Sequence, residues 1–142
     1  MVAALQHRCF DEAWSCSSVA DLLAMPGVFC LVAVVADAPC GFALCRNAAD
    51  ETEVLSLGVT PEARRRGIAG RLLRTGLDHA AESSARRVYL EVGSDNVAAL
   101  RLYRGHGFQQ VGVRAGYYRD RASPPRDALV LARDVPAADP AT

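Results

Sequence analysis

The stretch from residue 53 to residue 92 constrains this chain more than any other. Glu53-Val54-Leu55-Ser56-Leu57-Gly58-Val59 is rich in β-formers and reads as a strand, with Gly58 marking a bulge. Thr60-Pro61-Glu62 is a turn, and an arginine–glycine run follows over 64–70. Ile68, Leu72, Leu73, Leu77 and Ala80 then recur at helical spacing, which predicts an amphipathic helix to about Ser83. Residues 87–92 form the next strand. A helix joining two strands in this way is a crossover, so the strands run parallel and the connection is right-handed. Both strands then end at the same edge of the sheet, where open sheets of this kind bind ligands.

The loop at that edge is Arg64-Arg65-Arg66-Gly67-Ile68-Ala69-Gly70. It opens a helix whose first N–H groups lack partners and carry partial positive charge. Gly67 and Gly70 allow close approach of backbone to a ligand, and the arginines add charge. Such a loop suits a phosphate or pyrophosphate. Taken alone, the same residues also fit a solvated basic loop ahead of a core helix. Two familiar phosphate motifs are excluded. A Walker loop needs G-K-[ST], and the chain has no lysine. The dinucleotide fingerprint G-x-G-x-x-G belongs near the first strand, and neither pattern nor place agrees.

Elsewhere the pattern predicts one or two short helices over 3–25, a hairpin of strands 28–36 and 40–46 turning at Asp37-Ala38-Pro39, and no repeats. Ser94-Asp95-Asn96 offers N-caps for a helix that carries Leu100 and Tyr103 and stops near Gly105. Strands over 108–113 and 128–133 flank a polar loop at 117–125. The expected fold is a single α/β (α+β) domain over 1–135 with a frayed tail at 136–142. At 142 residues, 51% of them hydrophobic, the chain can bury a core without metals or disulfides. Sixteen arginines balance sixteen acids, which argues against a bulk electrostatic grip on nucleic acid. The five cysteines, Cys9, Cys16, Cys30, Cys40 and Cys45, lack C-x-x-C spacing and read as buried thiols in a reducing cytosol. No signal peptide is visible, and the apolar run 28–36 is too short to span a bilayer, so the expectation is a soluble cytoplasmic protein with no membrane partner. His7, His79 and His106 sit on separate elements without metal or triad spacing and are expected to be structural.

Arg64-x-x-Gly67-x-Ala69 matches the [QR]-x-x-G-x-[GA] signature of the GNAT superfamily of N-acetyltransferases, placed between a strand and an amphipathic helix as that signature requires. The run from Tyr89-Leu90-Glu91-Val92 through Asn96, Ala99 and Leu102-Tyr103 to Gly107-Phe108 resembles the L-E-V…N-x-x-A…L-Y…G-F segment of the RimI-like branch, the ribosomal protein alanine N-acetyltransferases. Arg114-x-x-Tyr117-Tyr118 with Asp127-Ala128, and Phe10-x-x-x-Trp14-Ser15, resemble that branch's tail and first helical segment. The resemblance covers nearly the whole chain. One departure is that the family's usual first edge strand precedes the point where this chain starts.

The resemblance implies the GNAT fold: a mixed central sheet with parallel, splayed central strands flanked by helices. It implies acetyl-CoA as co-substrate and no metal. Leu57, Gly58 and Val59 would bond the acetyl group and pantetheine arm through their backbone, with the Leu57 N–H polarising the thioester carbonyl. Arg65, Arg66, Gly67, Ile68, Ala69 and Gly70 would hold the pyrophosphate. Asn96 would bond the pantetheine arm or orient the end of the strand; it also fits an ordinary helix N-cap, and both can hold. Glu91 matches the family's general base and Tyr103 its general acid, for direct transfer without an acyl-enzyme. The implied acceptor is a protein N-terminal α-amine, that of ribosomal protein S18 within this branch. Two other readings remain: an enzyme acting on a small-molecule amine, and a non-catalytic CoA-binding module.

Overall fold

The structure, a computed structural model, describes residues 2, 4–5, 16–118 and 126–136. Val2, Ala4 and Leu5 are helical, and helix α1 spans Cys16–Ala24. Then come β1 (Val28–Val35), β2 (Ala38–Ala48), β3 (Glu51–Val59), a 3-10 turn at Pro61–Ala63, and α2 (Ile68–Glu82). β4 (Arg87–Gly93), α3 (Val97–Gly105), β5 (Gln109–Tyr118) and β6 (Arg126–Asp134) complete it. The six strands form one sheet in the order β1-β2-β3-β4-β6-β5. Only β3 and β4 pair in parallel, as the crossover through α2 requires; the other neighbours are antiparallel.

Three expectations need correction. The first hairpin turns at Ala36 and Asp37, whose φ angles are 51° and 64°, not at Asp37-Ala38-Pro39. Two central residues with positive φ are what a two-residue type I′ hairpin needs, because its twist matches that of the strands. Ala38 and Pro39 therefore already pair with Val35 and Val34, and an irregularity in the ladder accommodates the missing proline N–H. Secondly, β5 continues through Tyr118, so Tyr117 and Tyr118 belong to a strand; 119–125 lie outside the described residues, as do Phe10, Trp14 and Ser15. Thirdly, Gly58 is in register with Phe42, and the bulge lies three residues earlier.

That bulge positions the site. Leu44 pairs with Ser56 and Cys45 with Val54, which leaves Leu55 as the extra residue. The side chains show the consequence. Val54 and Leu57 pack on the same cluster as Val59, under α2, which an unbroken period of two could not achieve. Leu55 packs on the opposite face, with Leu5, Phe42 and Leu44. A bulge bends its strand and adds twist. The β3–β4 ladder stops at the same level: its last pair is Val54 with Leu90. Beyond it the two parallel strands diverge, as the fold expectation requires.

Both faces of the sheet carry a core. On one, Leu73 and Ala80 of α2 and Leu100 and Tyr103 of α3 pack with Val88, Leu90, Val92, Phe108 and Leu131, and Leu72 of α2 packs with Ala43, Cys45 and Val59. The apolar stripe read from the sequence is thus the buried stripe of α2. On the other, Leu22 of α1 joins the Leu5, Phe42 and Leu44 cluster. No helix among the described residues is long and apolar enough to cross a membrane.

Candidate active site

A cleft of about 790 Å³ opens where β3 and β4 diverge. One wall is Val54 to Val59, another is Leu90 to Gly93, and the floor is the start of α2 with its preceding loop. Along the walls the strand edges that face each other have run out of ladder partners, because pairing ended at Val54 and Leu90. An exposed strand edge offers N–H and C=O groups to an extended ligand, which can bind as an added strand.

The loop geometry follows from the chain. Arg64 caps the 3-10 turn, and its Nε donates to the Val59 carbonyl at 3.2 Å, which ties the loop to the end of β3. Arg65 then enters the left-handed region at φ 64°, a conformation costing a non-glycine residue about 1–2 kcal/mol. Backbone held in that way clusters at ligand clamps. No sequence pattern signals it, since arginine has no left-handed preference. Gly67 is the N-cap of α2 at φ 74°, and a Cβ there would meet nothing within 4 Å. It is glycine for its dihedral, not for space. At Gly70 a Cβ would lie 3.4 Å from the Arg74 guanidinium and 3.5 Å from the His106 ring, ordinary contact distances, so α2 passes beside the end of α3 without demanding a glycine there. The first N–H groups of α2 lack helical acceptors and carry partial positive charge, and Gly67 to Gly70 line the cleft, which makes this end of the helix a ready anion site.

Leu57, Gly58, Val59, Arg65, Gly67, Ile68, Ala69, Gly70, Glu91, Asn96 and Tyr103 all line this one cleft. Arg66 does not; it is exposed and outside it. Asn96 caps α3: its Oδ1 accepts from the Ala99 N–H at 3.2 Å. The residue also lines the cleft. Tyr103 is 7% exposed and its ring meets Phe108 edge-on, with centroids 5.8 Å apart. The packing fixes the ring while the cleft reaches it.

Glu91 is on the strand face opposite to Leu90 and Val92, which are buried under the helices. Its Oε1 accepts from Arg114 Nε at 3.0 Å. It also lines a second cavity of about 390 Å³ with Arg46, Glu51, Glu53, Tyr89 and Arg114. Glu91 therefore lines both cavities. Arg114 was not singled out by the sequence beyond its place in the tail motif, because β6 separates the two strands and no local spacing links residues 91 and 114.

The two histidines among the described residues are engaged elsewhere. His106 lies with Nδ1 2.8 Å from the Leu102 carbonyl, and His79 stacks on Phe29 at 4.0 Å. His7 lies outside the described residues. Cys30, Cys40 and Cys45 are free thiols, and burial, then the neighbouring Cys30, pushes the Cys45 thiol up to about 12. No cluster of metal-ligating side chains occurs among the described residues.

Comparison with known proteins agrees with this geometry. The model of the acetyltransferase (GNAT) family matches residues 1–108. The N-alpha-acetyltransferase RimI of Mycobacterium tuberculosis is 50% identical over 84 residues, which are 59% of this chain and 49% of that protein. The ribosomal protein bS18-alanine N-acetyltransferase of Salmonella typhimurium is 31% identical over 96 residues, 68% of this chain and 64% of that protein. The chain thus spans between about half and two thirds of these relatives. The crystal structure of the ribosomal-protein-S18-alanine N-acetyltransferase of Escherichia coli superposes with a TM-score of 0.89 at 23% identity, covering 99% of this chain and 90% of that one, and shows the same fold.

Proposed function

This chain belongs to the acetyltransferase (GNAT) family, and on that premise we propose that it transfers an acetyl group from acetyl-CoA to a protein N-terminal α-amine. The observation that carries the reading is the divergence of β3 and β4 beyond Val54 and Leu90. It opens a single cleft bounded by unpaired strand edges, the αL loop at the start of α2, a carboxylate and a buried phenol. These residues fit the co-substrate on grounds of their own chemistry. The edge of Leu57, Gly58 and Val59 suits an amide-bearing arm, and the N–H groups at the start of α2, with Arg65 beside them, suit a diphosphate. Acetyl-CoA supplies the activated acyl group as a thioester.

The chain's own groups would do the rest. The Leu57 N–H polarises the acyl carbonyl and stabilises the oxyanion that develops on it. Glu91 takes the proton that the acceptor amine must lose. An α-amine has a pKa of about 7.7–8.0, so a carboxylate base, directly or through water, is strong enough near neutral pH. Tyr103 Oη donates a proton to the departing sulfur. Fixing donor and amine in one cleft supplies much of the acceleration by orientation alone.

Within this reading we place the acceptor as the N-terminal alanine of ribosomal protein S18. That choice is supported by the names of the Salmonella and Escherichia relatives and by the acids Glu51 and Glu53 beside the second cavity, which suit a basic residue following the amine. The test offers acetyl-CoA with an Ala-Arg-starting peptide beside a panel of small amines and follows free thiol release. Peptide-dependent release supports the reading. Release with small amines alone contradicts the peptide acceptor, and CoA binding without any turnover contradicts the enzyme.

A further inference from the structure

The Glu91 carboxylate is held in a way that the proposed reaction does not by itself require. Arg114 is on β5 and pairs with Ala128 of β6, while Glu91 on β4 pairs with Val130 of β6. The guanidinium therefore crosses over β6, offset by two residues, to place Nε 3.0 Å from Glu91 Oε1. Directly after Arg114 the β5 register breaks, with Tyr118 next to pair, opposite Arg126. The Glu91 side chain is 21% exposed and that of Arg114 58%. An exposed ion pair of this kind adds little to stability. Its contact holds the carboxylate of a residue that also lines the cleft.

We propose that Arg114 is a positioning residue for Glu91. It holds the carboxylate in one orientation beside the cleft, so that the acceptor N–H meets a base already in place. A glutamate side chain has several rotatable bonds, and a partner made in advance removes that ordering cost from the reaction step. This inference rests on Glu91 being the base. The proton balance is unchanged: it passes from the amine nitrogen to Glu91, and Arg114 neither gains nor loses one.

The experiment measures kcat, KM for acetyl-CoA and for an Ala-Arg-starting peptide, and Tm in Arg114→Gln, Arg114→Lys, Glu91→Gln and the Glu91→Gln/Arg114→Gln double variant. Loss of alignment predicts that Arg114→Gln lowers kcat roughly tenfold, with both KM values within about twofold and Tm unchanged. Arg114→Lys keeps more activity than Arg114→Gln. Added to Glu91→Gln, the Arg114 change costs nothing further, because the group it serves is gone. An equal loss in both backgrounds, or a raised peptide KM with kcat intact, overturns the inference. An impaired Glu91→Gln beside an unimpaired Arg114→Gln overturns it alone. A fully active Glu91→Gln overturns the base assignment and this inference together.

Discussion

Asn96 caps α3 and, in the proposed reading, also contacts coenzyme A; two substitutions separate these roles. Its Oδ1 accepts from the Ala99 N–H at 3.2 Å, closing one of the orphan donors of α3, while the residue also lines the cleft. Asn96→Ala removes the cap. Its φ of −84° and ψ of 80° strain no alanine, and the side chain is exposed, so no burial is lost with it. The cost is then the cap alone, about 1 kcal/mol. An unfolding entropy of about 2.1 cal/mol/K per residue gives roughly 0.3 kcal/mol/K for a chain of 142 residues, so Tm falls by about 3 °C. Asn96→Asp keeps the accepting oxygen and places a negative charge at a helix N-terminus, where it is favoured, so Tm holds or rises slightly. It loses the amide donor and puts a charge in the cleft, so coenzyme A binds more weakly. Thermal melts with and without coenzyme A, together with titration calorimetry, read both effects. An unchanged Tm in Asn96→Ala refutes the cap argument, and wild-type coenzyme A affinity in Asn96→Asp refutes the ligand contact.

Glu91→Gln and Tyr103→Phe should each lower kcat by about 10² or more while KM for acetyl-CoA stays within about twofold, measured by thiol release; unchanged turnover in both removes their assignments. Gly67→Ala meets no steric obstacle but forces alanine to φ 74°, so it should cost about 1–2 kcal/mol and about 3–6 °C in Tm; no loss would mean that the loop relaxes. The Cys45 thiol, pushed up from 9.0 to about 12 by burial, should resist thiol reagents in the folded protein at neutral pH and react on unfolding. Its effect on stability runs with pH as follows: above about 9 the unfolded chain binds fewer protons than the folded one, so stability declines from pH 9 towards 12, and a flat alkaline limb in denaturant melts would contradict the burial.

Sequence reading succeeded where one element carries its own signal. The 3.6-residue stripe from Ile68 to Ala80 is the buried face of α2, and Asn96 is the cap its position announces. It failed where the cause is tertiary or conformational. Gly58 looked like a bulge because glycine often marks one, yet Leu55 takes that place, since only the pairing with β2 decides which residue is left over. The Ala36-Asp37 turn lacks the glycine or asparagine that usually announces positive φ, and Pro39 is the stronger turn signal in the sequence. The Arg114–Glu91 contact spans an intervening strand, and no periodicity reports it. The likeness of residues 89–108 to a known family supplied Glu91 and Tyr103; composition and spacing alone would have left both as an ordinary surface acid and a core aromatic.

The most direct test is a crystal structure of this chain grown with coenzyme A. Diphosphate density is expected on the N–H groups of Gly67 to Gly70 beside Arg65, with the pantetheine arm running along Leu57 to Val59 and its sulfur near Tyr103. Phosphates seated away from the start of α2, or an arm lying outside the opening between β3 and β4, would contradict it.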